Sequence, residues 1–268
     1  MTISVTNGNN AIRIVGGAKN ITVKNCILLS SGLTNSSNRT IYINGTSSTG
    51  GPIQNVLIEN NEISNSYDGI YFSGPSASNS NHDNIVRGNL IGTTNSQLGH
   101  YGMYSTNESN LTIEKNEIQN ITSGANDVCG VYLSGGDNTV TVSGNNIHNI
   151  SYTGASTFKV YGVYSSSSSP LSTNHSVLNN MVYDLRAATA TATSTTYNTV
   201  GMYFGTGNDN KIYFNSVSIA GKQGSSSAAS YALYNNDTAN AIVDNIFSNV
   251  SPGDTGKDYA IDRKSTRL

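Results

Sequence analysis

Short runs of alternating apolar and polar residues recur along this chain and predict β-strands rather than helices. The clearest run is Gly69–Phe72, in which Tyr71 has an apolar residue on each side. Seven such runs carry a tyrosine, an eighth carries Arg13 in its place, and successive tyrosines are separated by 28 to 39 residues. Repetition at a period of roughly 20 to 50 residues is typical of a solenoid, so we expect each run to form one strand of a coil.

A second motif follows each copy of the first. A branched apolar residue is followed three positions later by asparagine and, two positions further, by another apolar residue, as in Ile58, Asn61 and Ile63. Cys26 takes the asparagine position in the first copy. The asparagines of the other copies are Asn61, Asn89, Asn116, Asn145, Asn180, Asn215 and Asn245. Each repeat is therefore predicted to hold two short strands.

Alternation within the first motif separates an inward from an outward column of side chains. The residues before the tyrosines are predicted to point inward, and they are Ile12, Ile41, Ile70, Met103, Val131, Val163, Met202 and Leu233. The outward column is Arg13, Tyr42, Tyr71, Tyr104, Tyr132, Tyr164, Tyr203 and Tyr234. Stacked strands at ~4.8 Å spacing would make the tyrosines a strip about 30 Å long.

The outward position of the second motif carries charges of alternating sign. In the first four repeats this position is Lys24, Glu59, Arg87 and Glu114. Paired strands place such side chains ~5 Å apart, where opposite charges attract and like charges repel, so the alternation supports the predicted register. The same column becomes apolar later in the chain, at Leu178, Tyr213 and Val243.

Two recurring small residues have predicted mechanical roles. Asparagine tolerates left-handed backbone angles, and its amide can bond to the asparagine of the next repeat. We therefore predict a buried asparagine ladder at a turn of the coil. The glycine that precedes each apolar–tyrosine pair is interpreted as a tight bend at a corner of the coil.

Composition and charge narrow the classes of function. Of the 268 residues, 11% are charged and 36% are hydrophobic, and the formal net charge is -2. A nucleic-acid groove needs a basic stripe, which this chain lacks, so we predict no nucleic-acid partner. No apolar run is long enough for a membrane span, so we predict no membrane insertion.

The two ends of the chain predict an array cut from a longer one. Met1–Thr6 already has the pattern of a strand, no secretion signal is visible, and neither end has the polar cap that terminal repeats need. Residues 262–268 match no repeat and resemble the translation of a sequencing-adapter oligonucleotide. We predict a repeat domain over residues 1–261, truncated at both ends, a non-native tail over residues 262–268, and further domains in the same longer chain.

The two motifs resemble the repeat of right-handed parallel β-helix proteins of the pectin-lyase-like superfamily, in particular the Asn/Ser/Thr-rich arrays of secreted bacterial surface proteins. The resemblance covers Ala11 to about Val250 and includes both strands of eight copies. It implies an all-β coil of about eight rungs and an extracellular or cell-surface location. It also implies an activity, the cleavage of acidic polysaccharide.

The catalytic residues of that superfamily are not recognisable in this sequence. Its lyases hold calcium with clustered aspartates, and its hydrolases use three close aspartates, whereas the aspartates here stand at unlike places in their repeats. The best catalytic candidates are Glu59 and Glu114 on either side of Arg87, because paired carboxylates can do acid–base chemistry when their pKa values differ. The four histidines share no column, so we expect no metal site and no cofactor.

The tyrosine column has two interpretations. Aromatic pairs between strands stabilise a sheet by about 0.5–1.5 kcal/mol each, and a row of amphipathic rings is also a platform for a sugar chain. We expect a non-catalytic structural or adhesin-like array with a polysaccharide or surface glycan as its partner. The binding residues would be Tyr42, Tyr71, Tyr104, Tyr132, Tyr164, Tyr203 and Tyr234. The alternative is a polysaccharide-active lyase, hydrolase or epimerase.

Overall fold

The computed structural model of the chain describes residues 1–6, 8–46, 50–166, 173–187, 197–220, 228–237, 239–250 and 256–263. Regular structure in these ranges consists of 27 strands, and no helix there is long and apolar enough to cross a membrane. The strands are β1 (Thr2–Ser4), β2 (Asn10–Val15), β3 (Thr22–Lys24), β4 (Ile27–Gly32), β5 (Arg39–Asn44), β6 (Leu57–Glu59), β7 (Glu62–Ser73), β8 (Asn81–His82), β9 (Ile85–Arg87), β10 (Leu90–Ile91), β11 (Leu98–Ser105), β12 (Glu108–Ser109), β13 (Thr112–Glu114), β14 (Glu117–Ser123), β15 (Val128–Leu133), β16 (Thr141–Ser143), β17 (Asn146–Tyr152), β18 (Val160–Ser165), β19 (Ser176–Leu178), β20 (Met181–Arg186), β21 (Tyr197–Phe204), β22 (Lys211–Tyr213), β23 (Ser216–Ile219), β24 (Ala229–Asn235), β25 (Ala241–Val243), β26 (Ile246–Asn249) and β27 (Asp258–Arg263).

Parallel pairing arranges these strands in three stacks that wind into a right-handed β-helix, as the sequence predicted. The first stack is β2, β5, β7, β11, β15, β18, β21, β24 and β27. The second stack is β3, β6, β9, β13, β16, β19, β22 and β25. The third stack is β1, β4, β7, β10, β14, β17, β20, β23 and β26, so the long strand β7 belongs to two stacks. A smaller pairing, β8 with β12, lies between the first and second stacks in chain order.

The predicted register of both motifs is confirmed by the strand pairing. In the first stack Tyr42 pairs with Tyr71 and Tyr71 with Tyr104, and the column continues to Tyr234. The inward column fills the coil, since Ile41 and Ile70 are fully buried. Each such side chain contributes about 1.5–3 kcal/mol by leaving water, so the stacked apolar columns are the main stabilising feature of the fold.

The last strand continues the first stack beyond the predicted end of the array. In β27, Ile261 pairs with Leu233 and Asp262 pairs with Tyr234, so residues 262 and 263 take part in strand pairing. The remainder of the predicted tail, residues 264–268, lies outside the described residues.

The asparagine ladder is present and buried. The side-chain oxygen of Asn116 accepts the backbone and side-chain N–H groups of Asn89, both at 3.0 Å. Its amide nitrogen donates to the Val86 carbonyl and to the Asn145 side-chain oxygen, again at 3.0 Å. Cys26 occupies the first place, where its backbone N–H donates to Asn61. Each interior asparagine side chain therefore satisfies groups of both neighbouring turns.

Two details of this corner differ from the prediction. Each turn has three strands rather than two, because the second motif bends just before its asparagine and places Ile58 and Ile63 in different stacks. The left-handed residue is the one that precedes the ladder position, and not the ladder asparagine itself. These residues, with φ between 53° and 63°, are Asn25, Asn60, Gly88, Lys115, Gly144, Asn179, Phe214 and Asp244.

The recurring glycines of the first stack also have a different role from the predicted one. Gly69, Gly102 and Gly130 lie inside strands, where they have no left-handed backbone angle. A Cβ on Gly130 would lie 2.6 Å from the Gly162 carbonyl oxygen and 2.5 Å from a methyl carbon of Ile147. The interpretation as corner bends is wrong, and the glycines instead let successive turns approach closely.

We expect Asn116→Ala to lower the free energy of unfolding by roughly 3 kcal/mol, because it leaves buried amide groups of Asn89 without their acceptor. Urea unfolding monitored by circular dichroism measures the change. Glu114→Ala, on the outer surface of the same turn, is the control and should cost at most about 1 kcal/mol. An equal effect of the two substitutions would contradict the structural importance of the ladder.

We expect Gly130→Ala to destabilise the coil by about 2 kcal/mol or more, because the new methyl group overlaps the next turn. The matched control is Gly124→Ala, where a Cβ would meet only Thr153 Oγ1, at 3.7 Å. Thermal unfolding of both variants compares a close approach with an open site. Similar melting temperatures for the two variants would refute the close-approach role.

Candidate functional site

The tyrosines of the first stack form a continuous column of ring contacts on the outside of the coil. Successive ring centroids are 4.3 to 5.7 Å apart from Tyr42 to Tyr234. The rings of Tyr71 and Tyr104 are stacked, but those of Tyr104 and Tyr132 meet edge to face. The column is therefore continuous and partly exposed, but it is not the flat row expected from the spacing alone.

A second outward column, which the sequence analysis missed, runs beside the first. Its members each stand three residues before a position of the first column, and they are Arg39, Asp68, Tyr101, Cys129, Tyr161, Val200, Tyr231 and Tyr259, the last of which precedes Asp262. Simple alternation assigns this position to the interior. The strand departs from alternation at the glycine position, where two consecutive residues face the core. In the copy that has Ala232 in place of the glycine, both Ala232 and Leu233 pack in the core. The sequence did contain a signal for this second column, which is the constant distance of three residues from the first column.

These two columns together form a layer that we call the tyrosine face. Cys129, Tyr161 and Val200 are buried within it, outside the coil interior, and the surrounding tyrosines pack against them. Burial raises the pKa of the Cys129 thiol well above its usual value, and neither cysteine is in a disulfide. The tyrosine face is thus a second hydrophobic layer, whose outer surface is made of partly exposed rings.

The N-terminal end of the tyrosine face is cationic. The guanidinium group of Arg39 lies over the Tyr71 ring at 3.9 Å and the Tyr42 ring at 4.6 Å, and Arg13 lies 5.8 Å from Tyr42. Arg39 is also 3.6 Å from the buried carboxylate of Asp68, which contacts His100 at 3.1 Å. Cation–π contacts and ion pairs therefore fix the rings at this end.

A groove of small polar residues borders the tyrosine face along the corner where the third stack leads into the first. One part, of about 320 Å³, is lined by Asn9, Thr34 and Asn38. The next part, of about 300 Å³, is lined by Thr34, Gln97 and Asn126 among others. Hydroxyl and amide groups thus line the corner that leads into the first stack, in an arrangement that can hydrogen-bond a polar ligand.

The predicted catalytic candidates lie together on the second stack, on a different wall from the tyrosine face. Arg87 Nε is 2.7 Å from Glu59 Oε1, and another guanidinium nitrogen is 4.0 Å from Glu114. All three side chains are partly exposed on an open strand surface. Further along the wall, the apolar end of the column includes the exposed Val243.

A buried polar corner contains carboxyl groups that the sequence analysis did not single out. Both oxygens of Glu108 accept amide N–H groups, from Asn81 at 2.6 Å and Asn84 at 2.9 Å. Asp137 accepts from Ser105 Oγ at 2.6 Å and from the backbone N–H of Glu108 at 2.9 Å. Burial raises the pKa of Glu108 well above its usual value and that of Asp137 to about 7.

The histidines occupy four separate environments. His82 contacts Asp83, His100 contacts Asp68, and His148 contacts Glu117. The fourth, His175, is buried, and its burial lowers the pKa to about 4. Among the described residues no three His, Cys, Asp or Glu side chains are grouped so that they could hold a metal ion.

With this geometry, the chain is a right-handed parallel β-helix repeat protein. No family model and no curated protein sequence matches it. Two solved structures of PfbA, a surface adhesin of Streptococcus pneumoniae, share its fold, each with a TM-score of 0.52 and with 14% and 15% sequence identity. They cover 95% and 96% of this chain, which spans 64% and 60% of theirs, less than two thirds in each case. The Dettilon tailspike protein matches with a TM-score of 0.43 at 14% identity, over 96% of this chain and 55% of its own.

The buried carboxyl of Asp137 predicts a specific pH dependence of stability. Its folded-state pKa is raised from 3.8 to about 7, so its contribution is fully present below about pH 4 and is lost as the pH rises to about 7. His175, whose pKa is lowered, acts in the opposite direction, because its contribution is lost as the pH falls from 6.5 to about 4. The pH dependence due to Asp137 must therefore be measured as a difference in stability between the unmodified chain and a variant without this carboxyl group.

Asp137→Asn should gain stability relative to the unmodified chain as the pH rises from about 4 to 7, by on the order of 3 kcal/mol. Urea unfolding at a series of pH values measures this difference, in which the contribution of His175 cancels. Asp244→Asn, at an exposed position, is the control. A constant difference between Asp137→Asn and the unmodified chain would contradict a raised pKa.

Proposed function

We propose that this chain is a non-catalytic, adhesin-like segment of a secreted or cell-surface bacterial protein and that it binds a carbohydrate chain along the tyrosine face. The observation that carries the proposal is the continuous column of partly exposed rings from Tyr42 to Tyr234. Tyrosine rings present a flat apolar face to the C–H groups of a sugar and a hydroxyl group to its polar edge. The likeness of the fold to a surface adhesin agrees with such a role.

The polar groove beside the rings supports a saccharide rather than a purely apolar partner. The groove residues lie at the corner that leads into the strands of the tyrosine face, and a polysaccharide needs both rings and hydrogen-bonding groups. The column also repeats at the strand spacing of ~4.8 Å, so a linear polymer could make equivalent contacts on successive turns. Binding of this kind gains affinity from the number of turns engaged, even where each contact is weak.

The alternative proposal is a polysaccharide-active enzyme of the same fold. The observation in its favour is the group of Arg39, Asp68 and His100 beside the Tyr71 ring, where a carboxylate lies between a guanidinium and an imidazole. The ion-paired column of Glu59, Arg87 and Glu114 remains the candidate that the sequence suggested. An enzyme would convert its glycan, whereas an adhesin would only retain it.

Replacement of Tyr104, Tyr132 and Tyr164 by alanine should weaken binding of the full chain to its polysaccharide by about tenfold or more. A glycan array followed by pull-down on immobilised polysaccharide measures binding, and release of unsaturated or reducing sugar is assayed in the same samples. Tyr213→Ala removes a tyrosine from the second stack and is the control for lost aromatic area.

Three outcomes separate the proposals. Binding that is lost in the triple variant, without product, supports the adhesin-like role. Product formation instead supports the enzyme and directs substitution to Asp68, His100 and Glu59. Equal binding by the triple variant and the Tyr213 control would place any carbohydrate site away from the tyrosine face.

A further inference from the structure

A small cavity opens in the middle of the tyrosine face. Its volume is about 110 Å³, and its lining residues are Tyr101, Asp127, Cys129, Tyr132, Tyr161 and Tyr164. The rings come from three successive turns, with Tyr101 edge to face against Tyr132 at 5.3 Å and Tyr161 tilted against Tyr164 at 4.5 Å. At about 30 Å³ per water molecule, the cavity has room for a group of roughly four heavy atoms.

One carboxylate gives this aromatic cavity its charge. Asp127 stands immediately before β15, and its Oδ1 accepts the backbone N–H of Lys159 at 2.8 Å. Among the described residues, Asp127 forms no ion pair within 4.0 Å. Four tyrosine rings and one carboxylate without an ion-pair partner therefore line the same small volume.

The rings of the cavity remain neutral phenols. Burial raises the pKa of Tyr161, and Tyr197 and Asp127 add to the increase. Burial likewise raises the pKa of Tyr132 and Tyr101. A ligand would consequently meet neutral phenol rings, and no phenolate charge, at any ordinary pH.

Elsewhere on the tyrosine face, and at Tyr197, which packs against it, the chain supplies its own cations to tyrosine rings. Arg13 and Arg39 lie over rings at the N-terminal end, and Lys159 Nζ lies 4.9 Å from the Tyr197 ring centroid, one turn beyond the cavity. No described Lys or Arg lies over the four rings of the cavity. The cavity thus resembles the place beside Tyr71, where a ring and the Asp68 carboxylate hold Arg39, except that no side-chain cation of the described residues occupies it.

We propose that this cavity binds the alkylated ammonium group of a small organic cation, with a quaternary trimethylammonium group as the best fit. A cation beside several aromatic rings is attracted to each of them, and the Asp127 carboxylate adds an attraction of the same sign. A quaternary group is favoured over a primary ammonium because it has no N–H donors to satisfy, and the cavity offers only one carboxylate. The inference goes beyond the proposed function, since a free cation would bind whether or not the tyrosine face holds a polysaccharide.

The test compares choline with its neutral carbon isostere, in which a tert-butyl group replaces the trimethylammonium group. Binding to the full chain is measured by saturation-transfer NMR of the methyl protons and by calorimetry. Choline should bind at least about tenfold more tightly than the isostere, because only the charged ligand gains the cation–π and carboxylate attraction. Added salt should weaken the binding of choline and leave the isostere unaffected.

Two substitutions locate the site. Asp127→Asn keeps an oxygen for the Lys159 N–H and removes the charge, and Tyr132→Leu keeps apolar volume and removes one ring. Each should weaken choline binding by about fivefold or more, whereas Asp244→Asn, the same charge change at an exposed position after β25, should not. Thermal unfolding of each variant confirms that it is folded.

Absence of choline binding to the unmodified chain would overturn the proposal. Equal affinity for the isostere would overturn it as well, because the cavity would then be only an apolar pocket. Retention of choline binding by both Asp127→Asn and Tyr132→Leu would place the site elsewhere. None of these results depends on polysaccharide binding, so the two proposals can fail separately.

Discussion

Parallel pairing of each turn with the next is the constraint on which the rest of this structure depends. It sets a repeat of ~4.8 Å along the axis, and every side chain therefore meets the residue at the same position of the neighbouring turn. A residue type that pairs well with itself, such as asparagine, tyrosine or isoleucine, can recur indefinitely. One that repels itself must alternate with its opposite, as Glu59, Arg87 and Glu114 do.

The same constraint explains how much of the fold could be predicted from the sequence. Columns follow from the recurrence of the same motif in each turn, so the positions of Tyr71, Ile70 and Asn61 in their stacks could be derived from eight weakly similar copies. The left-handed residue that makes the turn at the asparagine could not be predicted, because it varies from Asn60 to Lys115 and Phe214 and leaves no single-residue signal. Only the left-handed backbone conformation at this position is the same in every turn.

Only one of the two columns of the tyrosine face could be predicted, because the prediction relied on strict alternation of side chains along each strand. Alternation places Tyr104 and Tyr132 outward, and this is where they lie. It places Tyr101 and Tyr161 inward, because it takes no account of the glycine at which two consecutive residues face the core. Asp127 precedes a strand in a segment with no counterpart of fixed length in other repeats, so its approach to the rings depends on the path of one loop. Spacing alone carries no information about such a path.

The asparagine ladder gives the coil a direction as well as a corner. In every link the side-chain nitrogen of one turn donates to the side-chain oxygen of the following turn, from Asn61 to Asn89 and onward to Asn245. The amide dipoles are therefore aligned head to tail along the axis, as peptide dipoles are in an α-helix. Such a row polarises cooperatively, with its oxygen end at Asn61 and its nitrogen end at Asn245. The long axis of an otherwise uniform coil is thereby electrically asymmetric, and its two ends present unlike partial charges to whatever adjoins them.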